Sequence, residues 1–407
     1  MEVSRSFEYS KRVPPTIPTV GSAFNKGTEH MLSLAYGFPA PETFPTDLLR
    51  EATEKAMIKD GEQTLQYTGS TGKTRLAEWI VNRSRLRKIN VQAQQVLVTN
   101  GSMQAIDLAV RTLTNEGDHI WLEAPTFFGA VRIFQTARVH MKTFQVDDEG
   151  INVDRIEQAL LSAISCGEPL PKMIYVMPNY HNPTGISLSI SRRKHLAELA
   201  YRYNFFILED DAYVDLNFSN IQQPAIYHFA PERTIYLSTF SKIVAPGVRL
   251  GWAVAAQEVI DQMTSLKPDG TTNVFVQEVV ANFFEQVHFQ QHLDKIVTLY
   301  RQRCQVMMET IDQCFGTEVS YYIPKGGFFI WLTFLNPINT TYLQTLCLEK
   351  GVAILSSESF YFENQEYNHV RLCYTYSNTE QIKRAINTMA MLYHQHKHKW
   401  LLLKDVE

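Results

Sequence analysis

Cysteine is scarce. Five residues, Cys166, Cys304, Cys314, Cys347 and Cys373, are scattered over 407 positions with no C-x-x-C spacing. An odd, dispersed set excludes a disulfide framework and reads as reduced thiols of a cytoplasmic protein. An excess of either charge is also missing. The formal net charge is −4 and charged residues make up 20% of the chain, so there is no electrostatic case for nucleic acid or a polyanionic surface. No apolar run is long enough to span a bilayer, and Met1 to Pro15 lacks the apolar core of a signal segment. There is no internal repeat, heptad run or low-complexity stretch. What is present is an ordinary globular composition with 45% apolar residues. The length exceeds one ordinary core and suggests a large domain with a smaller companion.

The first thirty or so residues are polar, and Pro14, Pro15 and Pro18 argue against a helix. They read as an arm that lies on something else, such as another subunit. From Val96 to Val276 short apolar runs alternate with amphipathic helical stretches. The runs are Val96–Thr99, Ile120–Glu123, Met173–Met177, Phe205–Glu209, Thr234–Leu237 and Leu250–Ala255; Ala105–Thr114 and Ser191–Tyr203 read as helices. Such alternation predicts an α/β domain with a mostly parallel sheet covered on both faces. From about Gln277 the pattern turns helical through His292 to Phe315. A strand over Gly326–Phe334 and a last helix over Glu380–Tyr393 follow. This reads as a smaller α+β domain built from both chain ends, with boundaries at residues 1–45, 46–288 and 289–407.

In an open sheet of this kind ligands gather where strands end. The residues at those ends are chemically uneven. Val96–Thr99 runs into Asn100-Gly101-Ser102-Met103-Gln104, where Gly101 and Ser102 offer N–H groups and a hydroxyl to a phosphate at a helix start. Met173–Met177 leads to Asn182-Pro183-Thr184-Gly185, and Phe205–Leu208 to Glu209-Asp210-Asp211-Ala212-Tyr213. Thr234–Leu237 leads to Ser238-Thr239-Phe240-Ser241-Lys242, followed by Pro246-Gly247-Val248-Arg249-Leu250-Gly251. A pyridine coenzyme with a phosphate and an aldehyde needs this inventory. Its aldehyde takes a primary amine, its ring nitrogen a carboxylate, and its phosphate donors and an arginine. Each residue alone has a plainer reading: a solvated lysine, a helix-capping aspartate, a turn at Asn182-Pro183-Thr184-Gly185, a core phenylalanine, a structural arginine.

Taken in this order, N-P-T-G, D-x-A-Y and S-K followed by P-G-x-R-x-G are highly specific. The chain resembles the fold-type-I aminotransferases of class I/II, most closely a subgroup with kynurenine/2-aminoadipate aminotransferases and the aminotransferase-like half of certain winged-helix regulators. The likeness runs from Leu34-Ala35-Tyr36-Gly37-Phe38-Pro39 to Arg371-Leu372-Cys373-Tyr374. It implies a seven-stranded type of large sheet and pyridoxal 5'-phosphate as cofactor. It also implies Lys242 as the Schiff-base lysine and proton shuttle between substrate Cα and the coenzyme's C4′, with Asp210 as partner of the ring nitrogen. Asn182 and Tyr213 would hydrogen-bond the ring oxygen. Gly101, Ser102, Met103, Thr239, Ser241 and Arg249 would hold the phosphate, and Phe127 would stack on the ring. Gly37, Asn182 and Arg371 would line the substrate site, Arg371 as carboxylate clamp. Tyr67 matches a tyrosine that reaches the phosphate of a neighbouring subunit, which implies a homodimer.

The implied reaction is transfer of an amino group from an L-amino acid to a 2-oxo acid in two half-reactions. The same residues also serve elimination, decarboxylation, racemisation or oxidation, since pocket shape selects the bond that breaks. A ligand-sensing regulator is a rival; it needs a basic helix-turn-helix upstream, and fewer than forty residues precede Gly37 here. Thr68-Gly69-Ser70-Thr71-Gly72 and Ser356-Ser357-Glu358-Ser359-Phe360 depart from the family pattern and bear on substrate choice. Tyr36, Phe38, Phe127 and Tyr361 suggest a pocket for aromatic or long aliphatic side chains. His181 is a candidate pocket liner. His394, His396 and His398 recur every second residue, and on a helix i and i+2 point apart, so no metal is expected there.

Overall fold

The computed structural model describes residues 9–13, 31–67, 74–219, 221–268, 270–286, 288–362 and 368–401. Most of the proline-bearing arm and the segment Thr68–Gly72 lie outside these residues. The six apolar runs and one further segment, β3, form the main sheet: β1 (Val96–Thr99), β2 (His119–Ala124), β3 (His140–Asp147), β4 (Met173–Val176), β5 (Phe206–Asp210), β6 (Thr234–Thr239) and β7 (Gly251–Val254). A short edge strand, Gly150–Ile151, folds back on β3. The order across the sheet is β1-β7-β6-β5-β4-β2-β3. Six of the seven strands point the same way; β7 runs against both its neighbours. Every residue of β4, β6 and β7 is buried, which is why these segments are apolar without alternation. Strand β3 is absent from the apolar runs of the sequence because it lies near the sheet edge, half exposed, and carries His140, Lys142 and Gln145 outward.

Successive side chains of a strand face opposite ways, so each buried strand serves two layers. Trp121, Ile174, Val176 and Ile207 pack into one layer with Leu196 and Leu199 of helix α1 (Ile190–Tyr203). Leu122, Met173, Tyr175, Leu208 and Tyr236 enter the other. The chain then leaves the sheet through the 27-residue helix α2 (Phe289–Phe315). Beyond it lies an antiparallel sheet whose long strands are β8 (Phe329–Phe334) and β10 (His369–Cys373), with the short β9 (Leu355–Ser356) against β10. Helices α3 (Thr340–Glu349) and α4 (Thr379–Leu401) belong to this unit. Leu32–Ser33 pairs in parallel with Val352–Ala353. The Cys373 amide donates to the Leu34 carbonyl at 2.7 Å. The stretch that leads to Gly37 is therefore knitted to residues more than three hundred positions later.

The reversal of β7 brings its first residue to the edge where the parallel strands finish, and Gly251 pairs there with both Thr99 and Thr239. A Cβ on Gly251 would stand 2.5 Å from the Ser102 nitrogen and 2.6 Å from the Gly101 carbonyl carbon. Those are backbone atoms at the start of a helix and have little room to yield. Gly251→Ala is expected to destabilise the protein by about 2 kcal/mol, as overpacking does, read as a lower urea midpoint. An unchanged midpoint would show that the crossing accepts a side chain.

Candidate active site

A cavity of about 800 Å³ opens at this edge of the sheet. Each element delivers its residues through a short turn. The turn after β1 brings Gly101, Ser102 and Met103; the end of β2 brings Phe127; the loop after β4 brings Met177 and Asn182. Strand β5 ends in Asp210 and passes Ala212 and Tyr213, β6 delivers Thr239, Ser241 and Lys242, and the turn into β7 delivers Arg249. Gly37 and Arg371 close the opposite wall. Thirteen of the fourteen residues to which the family resemblance gives a role thus meet in one place.

The first end of the cavity suits an anion. Gly101 has φ +80°, and a Cβ there would lie 2.7 Å from Arg249 Nη2, so only glycine lets the guanidinium reach this backbone. A 12-residue helix begins at Ser102, with the free N–H groups of its first turn aimed at the same point. Thr239 Oγ1 accepts from the Ser241 amide at 3.1 Å and donates to Ser241 Oγ at 2.9 Å. That pair fixes the turn which carries Lys242.

The second end holds an amine and an acid. Lys242 Nζ donates to the Gly37 carbonyl at 3.0 Å and lies over the rings of Phe328 and Tyr213. Burial pulls this amine down to about 8; Cys373 opposes the shift, and the cations Arg371 and Arg249 add to it. Near neutrality an appreciable fraction is the nucleophilic free base. Asp210 is buried, and its Oδ2 accepts from the Tyr175 hydroxyl at 2.8 Å. Its Oδ1 has no hydrogen-bond partner among the described residues. Burial pushes its carboxyl up to about 7, with the Tyr175 hydrogen bond opposing and Asp211 and Glu123 reinforcing. Asp211 faces elsewhere, taking Asn179 Nδ2 at 2.7 Å and Arg87 at 3.4 Å. Burial raises the Tyr213 phenol, against the pull of Arg371, so the hydroxyl stays protonated.

Arg371 forms the far wall. It sits mid-strand in β10, paired with Trp331 and Leu355, and its guanidinium lies 4.3 Å from the centre of the Phe329 ring and 4.9 Å from that of Phe360. Nη1 donates to Asn182 Oδ1 at 2.8 Å and Nη2 to the Ala35 carbonyl at 2.5 Å, while Nε has no partner among the described residues. Asn182 is held in turn by a closed loop. Arg193 ties its base through the Pro178 and Leu188 carbonyls and Asn179 Oδ1.

Two expectations need correction. Tyr361 does not line this cavity but a second cleft with Trp331, Thr333 and His369. The turn Ser357–Phe360 packs Phe360 over Arg371 and sends the next side chain the other way. His181 also lies behind the wall. Its Nδ1 meets Thr184 Oγ1 at 2.8 Å and its Nε2 stands 3.2 Å from Glu123. Tyr67, which the resemblance directs to the phosphate of a neighbouring subunit, is 94% exposed and stands outside this chain's own cavity wall. Tyr36 and Phe38 do line the cavity, their rings 5.3 Å apart. In the tail, His394 Nε2 lies 3.0 Å from the Cys314 carbonyl and His396 Nδ1 2.9 Å from that of Leu392. Sequence reasoning missed Tyr175, which sits within an apolar run and reads as core.

A coenzyme with a phosphate, an aldehyde and a basic ring fits these walls. Asp210 Oδ1 lacks the one donor that a protonated ring nitrogen supplies, and the Gly101 turn leaves the close approach that a phosphate requires. Fold and site together define a pyridoxal-phosphate-dependent enzyme of amino acids. The family profile described as aminotransferase class I and II matches residues 29–389, and the chain belongs to that family. Its reaction is amino-group transfer, with pyridoxal phosphate as cofactor. The aromatic-amino-acid aminotransferase 1 of Thermococcus litoralis is 36% identical over 370 residues, covering 89% of this chain and 88% of that protein. The kynurenine aminotransferase of Pyrococcus horikoshii, solved with PMP, superposes with a TM-score of 0.89 at 32% identity, covering 95% of this chain and 97% of the other. The α-aminoadipate aminotransferase LysN of Thermus thermophilus, solved with N-(5'-phosphopyridoxyl)-L-leucine, gives 0.83 at 28%, covering 93% and 97%.

The raised Asp210 carboxyl has a measurable consequence in cofactor-free protein. A folded-state pKa above the unfolded one adds stability in acid that is lost as pH rises from about 4 through about 7. Asp210→Asn removes that titration. Its melting temperature relative to wild type is expected to climb between pH 5 and pH 8. A difference that stays flat across this range would contradict the burial effect.

Proposed function

We propose that the chain moves the amino group of aromatic or long-chain L-amino acids to a 2-oxo acid, the two substrates using one cavity in turn, as a cytoplasmic homodimer. The observation that carries this reading is the meeting of Lys242, Asp210 and Arg371 in a cavity whose upper wall is apolar. When bound, pyridoxal phosphate supplies an aldehyde that captures the amino group and a cationic ring that draws electrons from Cα. Asp210 would keep that ring protonated, and Gly101, Ser102, Met103, Ser241 and Arg249 would hold the phosphate, with Thr239 bracing Ser241. Phe127 would cover one face of the ring, and Asn182 and Tyr213 would hydrogen-bond its oxygen. Arg371 takes the substrate carboxylate, its guanidinium already flat between two rings and held by Asn182 and Ala35. Lys242 then removes the proton from the substrate Cα, as an amine with a pKa of about 8 can do near neutrality.

The substrate class follows from the rest of the wall. Tyr36, Phe38, Phe128, Leu348 and Leu355 surround the space beyond Arg371, with the uncharged Gln344 beside them. Among the described lining residues the basic groups are Lys242, Arg249 and Arg371. A second carboxylate on the substrate finds no further counter-charge among these. The names of the Thermococcus and Pyrococcus relatives, which specify aromatic amino acids and kynurenine, support the same reading. The exposed Tyr67, with Leu65 and Ile58 also exposed close by in the chain, supports a second copy of the chain against this surface. The five unpaired cysteines suit a reducing compartment.

Single amino acids added to the coenzyme-loaded enzyme test the substrate class through the change in coenzyme absorbance. Phenylalanine, tyrosine and leucine are expected to convert it at least tenfold faster than aspartate, about the discrimination that one unmatched buried charge produces. Equal rates with aspartate would refute the class. Lys242→Ala is expected to bind the coenzyme without the imine absorbance and to show no mass gain after borohydride. Persistence of either signal would remove the lysine from its role.

A further inference from the structure

Tyr175 is fully buried in the middle of β4 and pairs across the strands with Leu208. Leu208 and Asp210 are two residues apart on β5, so they share the face that Tyr175 enters. The phenol donates to Asp210 Oδ2 at 2.8 Å, while Oδ1 of the same carboxylate has no hydrogen-bond partner among the described residues. Phe134 fixes the phenol ring by an edge contact at 5.5 Å and 72°. The other titratable groups that act on Asp210 are Asp211 beside it, Glu123 on β2, Tyr213, and Lys242 at the end of β6. Both acids repel its charge. Their own partners are Arg87 and Asn179 for Asp211 and His181 for Glu123, so those groups are engaged elsewhere. Among the described residues, Tyr175 is the side chain hydrogen-bonded to Asp210.

We infer that Tyr175 is a positioning residue for the coenzyme, its hydroxyl holding the Asp210 carboxylate ionised and turned so that Oδ1 is presented to the ring nitrogen. This rests on the reading of Asp210 as the ring nitrogen's partner. The phenol is suited to a constant donor role, because burial and the adjacent carboxylate drive its own ionisation far above the ordinary range. Without it, no side-chain hydrogen bond opposes burial and the repulsion of Asp211 and Glu123, which leaves the Ala212 amide and the charge on Lys242 to do so. The acid then keeps its proton and ceases to accept from the ring.

The probe is pyridoxamine 5'-phosphate, which binds without condensing with Lys242, titrated into cofactor-free wild type, Tyr175→Phe, Asp210→Asn and the double variant at pH 7.5. Tyr175→Phe keeps the ring against Phe134, and melting curves establish that each variant folds. It is expected to weaken binding about tenfold, the scale of one hydrogen bond to a charged group. In the Asp210→Asn background the same change is expected to add less than threefold, because a residue acting through Asp210 has nothing left to act on. The melting-temperature gap between wild type and Tyr175→Phe is expected to widen from pH 5 to pH 8, where the carboxylate is ionised. Equal factors in both backgrounds, or a Tyr175→Phe affinity within twofold of wild type, would overturn the inference. If Asp210→Asn binds the probe like wild type, the reading of Asp210 itself falls, and the inference with it.

Discussion

A carboxylate buried at the end of a central strand, with one oxygen unmatched by the protein, sets the terms for everything around it. Asp210 is hard to keep charged where it lies, since two other acids stand nearby, Asp211 beside Arg87 and Glu123 beside His181. The charge becomes stable when something cationic arrives from the cavity side. Lys242, at the end of the adjacent strand, stands under the opposite pressure and gives up part of its positive charge. The two neighbours are thus both held away from their ordinary charge states, and a ligand with a basic ring and an aldehyde relieves both.

The second constraint links the two units of the chain. Arg371 belongs to the smaller sheet, Asn182 to a loop of the larger one, and Ala35 to the strand-like entry segment; one guanidinium binds the last two. Its third nitrogen, Nε, is unpaired among the described residues. A carboxylate that meets this group is therefore sensed by elements from three separated parts of the chain. Asn182 sits in a loop braced by Arg193, so the clamp has a rigid reference on the large-sheet side.

The site was legible in the sequence because its residues cluster in short tags at strand ends, each with a distinctive neighbour. Lys242 follows Ser241, Asp210 stands two before Ala212, and Gly101 precedes a helix. What escaped had no local tag. Tyr175 sits among Met173, Ile174 and Val176, and only the register with β5 reveals that its hydroxyl meets an acid. Tyr361 and His181 were misplaced for the converse reason: closeness in sequence to a cavity residue says nothing about direction, and a single turn reverses it. Strand β3 carried too many polar residues to read as sheet, since near an edge one face is left to water.

The reversed strand has one more consequence, for how the molecule comes into being. In the sheet β1 touches β7 alone, and about 150 residues separate them in the chain. As the polypeptide leaves the ribosome, Val96–Thr99 waits as an unsatisfied edge until Gly251–Val254 emerges. The Gly101 turn and Arg249 come together at that same junction. A phosphate held at that junction would therefore be captured late in maturation, once the most distant pairing of the large sheet has closed.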